Sequence, residues 1–185
     1  DFICCFGGRM MRRKNLNSDL MKEYMVEALL ILMEEKSFEK ITIGEITDKA
    51  GVNRSSYYRH FNMKEDLLRW YFYKIIGEIQ KDHLSFKDYT YSIFETFLAH
   101  QHGILVIHQA QLSYLLLDAL NACFYVNTNN TKSPLEQFQT AWHVGGIYNG
   151  MLLWFDHGMK ESAQLMTEIT LSFRPEGSLS LRDMK

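Results

Sequence analysis

Apolar residues recur at three- and four-residue spacing through Leu20, Tyr24, Ala28, Ile31 and Leu32. This interval sets one stripe of a helix against a core and leaves the other face to water. The stripe predicts a first helix ending near Lys36. Thr42-Ile-Gly-Glu45 follows, a capping-box pattern in which the threonine oxygen and the glutamate three residues on satisfy free amides at a helix start. It predicts a short second helix ending near Ala50. Gly51 then suits a left-handed turn position, where a Cβ is costly, and Val52 can plug the angle between two helices. Asn53 is expected to cap a third helix over 54–61. Asn62-Met-Lys-Glu65 reads as a second capping box with Asn in the Ser/Thr role. It opens a fourth helix through Leu67, Leu68, Tyr71, Ile75 and Ile79 to about Asp82. Further helices are predicted over 86–101, 104–126, 134–157 and 161–173, with a polar loop at 127–131 and a loose tail from Arg174.

Composition agrees with an all-α protein. Hydrophobic residues make up 46% of the 185 positions, enough for a real core, and only two are proline. The net charge of −2 gives no global sign of affinity for nucleic acid, so any basic surface must be local. Of the three cysteines, Cys4 and Cys5 are adjacent. They make no disulfide framework, which points to a reducing compartment and to the cytoplasm. The first ten residues are too short for a signal peptide and lack its basic start. No run reaches the roughly 18 uninterrupted apolar residues of a membrane span. The expected division is an unstructured or non-native leader over 1–17, a DNA-binding domain over 18–65, and a helical regulatory and dimerisation domain over 66–185. No internal repeat or low-complexity segment is visible.

The chemistry concentrates on the second and third helices, joined by a glycine-containing turn of about four residues, the geometry in which a short helix enters the major groove of DNA. Arg54 can offer a bidentate fork to guanine, Ser55 and Ser56 are small hydrogen-bonding groups, and Tyr58, Arg59 and His60 can reach phosphates or base edges. Lys64, at the mouth of the fourth helix, can add a phosphate contact beside a helix N-terminus that favours anions. Residues 41–68, ITIGEITDKAGVNRSSYYRHFNMKEDLL, resemble the DNA-binding domain of the TetR family, and the resemblance covers roughly residues 20–68. Its pattern is carried by Thr42, Ala50-Gly51-Val52, Tyr58, His60-Phe61 and Lys64. The resemblance implies that Thr42, Tyr58, His60 and Lys64 hold phosphates while Arg54, Ser55, Ser56 and Arg59 face the groove. Tyr57 departs from the commoner leucine or phenylalanine and is expected in the core. A helix-turn-helix also occurs as a packing unit, so an interaction module without autonomous DNA binding remains an alternative.

The same resemblance implies a second domain that dimerises and carries a small-molecule pocket. Residues 145–159 are similar to the penultimate helix of several family members, whose last two helices form a four-helix dimer interface. Gly146 and Gly150 permit close helix approach, and Trp142 and Trp154 are expected to extend that face. Trp70, Tyr73, Tyr91, Phe94, Phe97, Tyr114 and Tyr148 are candidates to line an apolar pocket. His100, His102, His108, Cys123, His143 and His157 supply metal-ligand chemistry. Their spacing offers no compact pair such as His-x3-His, however, and no metal or other cofactor is expected. Nor is an enzyme: there is no Gly-rich phosphate loop, no Gly-x-Ser-x-Gly and no visible acid-base pair. The expected function is therefore a homodimeric, effector-released repressor of double-stranded operator DNA. A coactivator dependent on a partner protein is the alternative. Control would work by swinging the fourth helix and so changing the spacing of two recognition helices set about 34 Å apart.

Overall fold

The computed structural model describes residues 16–79, 85–124 and 133–173. Among these residues the elements are nine α-helices and one 3-10 turn, with no strand. Residues 1–15, most of the expected leader, lie outside the described residues, as do the loop at 127–131 and the tail from Arg174.

The chain packs as two compact units. Among the described residues the first comprises 16–74 and 102–119; the second takes 75–79, 85–101, 120–124 and 133–173. Packing therefore does not break at residue 65. The first unit holds α1 (Leu16–Glu35), the 3-10 turn Phe38–Lys40, α2 (Ile43–Ala50), α3 (Arg54–Tyr58) and most of α4 (Lys64–Glu78). It also holds α6 (Gln101–Gln109) from His102 and α7 (Tyr114–Cys123) as far as Ala119.

α1 buries Met25, Val26, Ala28, Leu29 and Leu32, while Leu20, Tyr24 and Ile31 are exposed. The inward stripe is thus turned from the expected one by about one residue, roughly 100° of helix. α1 carries apolar residues on more than one side, and periodicity alone does not choose between two stripes of equal spacing.

The first capping box forms as expected. Thr42 Oγ1 accepts from the Glu45 N–H at 3.3 Å, and the Thr42 N–H donates to Glu45 Oε2 at 2.9 Å. Lys36 Nζ donates to the other carboxylate oxygen. The lysine first, and the Thr42 amide and hydroxyl after it, lower the Glu45 pKa from 4.5 to about 2. α2 ends at Gly51, whose φ of 66° is left-handed. The Gly51 N–H bonds Asp48 O and the Val52 N–H bonds Thr47 O, the paired closure of a Schellman motif.

Three boundaries differ from expectation. Regular α3 ends at Tyr58, and Arg59–Phe61 continue as a tightened turn with His60 N–H on Tyr57 O at 2.9 Å. α4 starts one residue late for an Asn62 cap, so the carboxylate reaching back to the Asn62 and Met63 amides belongs to Asp66, not Glu65. The helix expected over 104–126 is two helices. Gln111 adopts φ 61°, its N–H bonds His108 O, and the Leu112 N–H bonds Ile107 O. This is the same closure as at Gly51, with glutamine at a position that costs an L-residue about 1–2 kcal/mol. Buried Leu112 supplies the apolar contact that such an ending uses.

The second unit contains α5 (Phe86–Ala99), α8 (Pro134–Asp156) and α9 (Ala163–Ser172). Its core sets Phe94 edge-on to Trp154 at 5.4 Å and stacks Phe97 on Phe155 at 6.5 Å. Ser133 and Glu136 cap α8 reciprocally with Pro134 in its first turn, and Ser162 caps α9. Gln101 Nε2 donates to Gly158 O at 2.9 Å, tying down the turn after α8.

Two measurements test this packing. A Cβ on Gly103 of α6 would lie 2.7 Å from the Tyr71 hydroxyl and 2.9 Å from Leu30 Cδ1. Gly103→Ala should cost about 1–3 kcal/mol in urea unfolding, whereas Gly77→Ala, which meets nothing within 4 Å, should gain up to about 1 kcal/mol. Glu45 has a lowered folded pKa, so its contribution to stability is complete above its ordinary 4.5 and disappears as pH falls toward 2. Glu45→Gln should lower stability at neutral pH and flatten its pH dependence over that acid window, read by thermal melts.

Candidate nucleic-acid interface

α3 is presented by its neighbours. Tyr57 is fully buried, with its ring 5.3 Å from Tyr58 and 5.8 Å from Phe61. Its hydroxyl has no hydrogen-bond partner among the described residues, and burial raises its pKa. Tyr57 is thus a core residue, and the residues around it face outward. Arg54, Ser55 and Arg59 are exposed, Ser56 is half-buried, and Tyr58 is 59% exposed. The Arg54 guanidinium lies over Gly44, where a Cβ would come within 2.4 Å of Nη2. The missing side chain of Gly44 lets the arginine rest on α2.

Asn53 corrects one expectation and adds a residue. Its extended backbone starts α3, and its carbonyl accepts the Ser56 N–H at 2.9 Å, but its side chain makes no capping bond. An exposed amide therefore stands at the head of α3. Reading Asn53 as a cap concealed it.

Thr42 is exposed, with its hydroxyl donating to Glu45 Oε2 at 2.9 Å. His60 is half-buried and turned toward α1, its Nε2 3.3 Å from Ser18 Oγ. Burial first, and the nearby positive Lys22 and Arg59 after it, lower its pKa and favour the neutral ring. Lys64 is turned onto the backbone ahead of Thr42. Its Nζ donates to Phe38 O at 2.6 Å, Ile41 O at 2.8 Å and Glu39 O at 3.3 Å, and lies 4.5 Å above the Phe38 ring. The interval from Lys49 to Lys64 contains no Asp or Glu.

The residues expected to line an effector pocket are divided between the units. Trp70, Tyr73 and Tyr114 belong to the first, where Lys22 Nζ sits 5.5 Å from the Trp70 ring and Tyr114 is exposed. Tyr91, Phe94, Phe97 and Tyr148 belong to the second. Phe94 and Phe97 are core residues there, and Tyr91 and Tyr148 are half-buried.

Of the expected dimer-interface residues, Trp142 is 87% exposed, and Gly146 and Gly150 are exposed with it. Trp154 is not on that face: it is 1% exposed, and its Nε1 donates to Glu161 O at 3.2 Å. Twelve residues separate the two tryptophans, about 120° around a helix. The outward stripe of α8 is instead Leu135, Phe138, Trp142 and Leu153, and α9 adds Leu165, Ile169 and Phe173. Their helical spacing was legible, but only exposure separates them from core positions.

The histidines are spent on local pairs. His100 meets Glu78 at 2.6 Å, His102 meets Glu34 at 3.3 Å, and His157 meets Glu161 at 2.7 Å. His108 Nδ1 lies 2.9 Å from Ser113 Oγ. His143 is exposed and stands 6.4 Å from the Phe124 ring. Cys123 is a half-buried thiol. Among the described residues no group of three or more His, Cys, Asp or Glu side chains is placed to hold a metal ion, and no helix is long and apolar enough to cross a membrane.

Residues 26–69 match the family described as bacterial regulatory proteins, tetR family. No curated protein matches the chain. The matched stretch runs from the buried face of α1 through α2 and α3 into α4, which is the framework that presents the exposed side chains above. Over these residues the chain is similar to that family, and the similarity supports a DNA-binding regulator of transcription.

Proposed function

We propose that the protein is a cytoplasmic, homodimeric repressor that binds a specific operator through α3 and is released by an effector acting on the second unit. The observation that carries this reading is the exposed set Asn53, Arg54, Ser55, Tyr58 and Arg59, anchored from behind by buried Tyr57. Arg54 and Asn53 have the donor and acceptor patterns that read guanine and adenine edges, with Ser55 and Ser56 small enough to let the helix approach. Tyr58, Arg59, Thr42 and His60 are assigned to phosphates, which set register without reading sequence. DNA binding is assigned to residues 18–65, and regulation and dimerisation to 66–185.

Two heads are needed for a two-fold operator, and symmetric dimers bury the same patch on both subunits. The α8 and α9 stripe, with Phe138 77% exposed beside Trp142 in sequence spacing, supports that assignment. Exposed apolar faces of this kind mark association sites. Effector control is assigned to the second unit, where Tyr91 and Tyr148 combine an apolar ring with a polar tip. α4 starts at Lys64 in the first unit and its last turn belongs to the second, so it is the proposed transmitter.

Titration into labelled fragments of the DNA flanking its own gene, at two salt concentrations, should give tight binding to one palindromic fragment at two chains or a multiple. Arg54→Ala should weaken that complex by about 1–3 kcal/mol and relax preference at one base pair. Equal weak affinity for every fragment would refute the operator assignment. Trp142→Glu should convert the dimer to a folded monomer in sedimentation and lower operator affinity; an unchanged dimer would place the interface elsewhere.

A further inference from the structure

We infer that Lys64 is a positioning residue that straps the start of α4 to the backbone ahead of Thr42, and that it does not serve as a ligand of DNA phosphate. An ammonium has three N–H donors. Here all three have acceptors: Phe38 O, Ile41 O and, at a longer distance, Glu39 O. The Phe38 ring faces the same charge, and that ring is buried. Reaching a phosphate would strip Lys64 from all four groups. The 3-10 turn has little to replace it with. Phe38 O already accepts the Ile41 N–H at 3.1 Å, and its bond from Lys64 is partly shielded from water, as is that at Ile41 O.

The strap acts on the operator contact through Thr42. Ile41 O, held by Lys64, belongs to the peptide that leads into Thr42, and the Thr42 amide and hydroxyl are held by Glu45, itself gripped by Lys36. Two lysines, one just after α1 and one on α4, therefore fix the N-terminus of α2 from either side. A displacement of α4 must carry Thr42 with it or break the strap. Charge for phosphate contact is left to the exposed cations, Arg59 among them.

The inference rests on the operator-binding reading for only one arm of its test. In the first arm, thermal melts of Lys64→Arg and Lys64→Met are compared, and the Lys64 ammonium is observed in the 15N-labelled wild-type protein. A guanidinium cannot converge three donors on these carbonyls as an ammonium does. Both variants should therefore lose several degrees of Tm, and the wild-type ammonium should give a protected resonance that operator DNA leaves in place. In the second arm, Lys64→Met should weaken operator binding at every salt concentration with the slope of log K against log salt unchanged. Arg59→Gln should lose about 0.9 of that slope for each phosphate given up. The inference is overturned if Lys64→Arg keeps wild-type Tm and affinity while Lys64→Met loses slope as Arg59→Gln does, or if the ammonium exchanges freely. If the wild-type protein binds no fragment, the operator reading fails while the melts and the ammonium resonance still decide the strap. If neither variant folds, the wild-type resonance decides it.

Discussion

A helix of five residues such as α3 cannot hold its own shape in water, because nucleating a helix costs more than so few backbone bonds return. Everything that α3 presents therefore depends on how it is fastened from behind. Tyr57 is the fastening. Burying its ring against Phe61 provides what propensity does not, at the expense of a hydroxyl that finds no partner among the described residues. The turn before it is equally constrained: Gly51 takes the left-handed conformation and Val52 closes the helix end behind it. With both ends of the approach fixed, Arg54, Ser55, Tyr58 and Arg59 can all face outward without weakening the fold.

The same closure recurs at three helix ends, and it separates what the sequence revealed from what it did not. At Gly51, Gln111 and Gly158 one amide bonds back three residues and the next bonds back five. Glycine at 51 announced the end of α2. Gln111 has a Cβ and gives no such signal, so α6 and α7 read as one helix. What ends α6 there is tertiary: Leu112 drops into the core, and its burial outweighs the local cost of a left-handed glutamine.

Element existence was legible because periodicity and caps are local. Facing was not, because it depends on the rest of the molecule. Leu20, Tyr24 and Ile31 have the spacing of a buried stripe and are exposed, while Met25, Val26 and Leu29 turn inward beside the expected Ala28 and Leu32. Trp142 and Trp154 looked equivalent as large aromatics on one helix, and only packing against Phe94 and Phe97's neighbour Phe155 puts one inside. Lys64 is a different case. Its identity and place were right, but a sequence counts donors without showing that a 3-10 turn will aim three carbonyls at them.

Net charge was silent on this surface because it averages over groups that are not equivalent. Within the first unit Lys22, Lys36, Lys49, Arg69 and Lys74 are each paired with a carboxylate, through Asp19, Glu45, Glu35, Asp66 with Asp118, and Glu23. Those pairs contribute little field at a distance. Arg54 and Arg59 lie in the stretch from Lys49 to Lys64 that holds no acid at all. A chain of net charge −2 therefore carries a local positive surface on α3. Because this field comes from so few exposed cations, it is readily screened by salt. Under the proposed operator reading, affinity for random DNA should accordingly be modest, with selectivity falling to the side chains proposed to read bases at the head of the same helix.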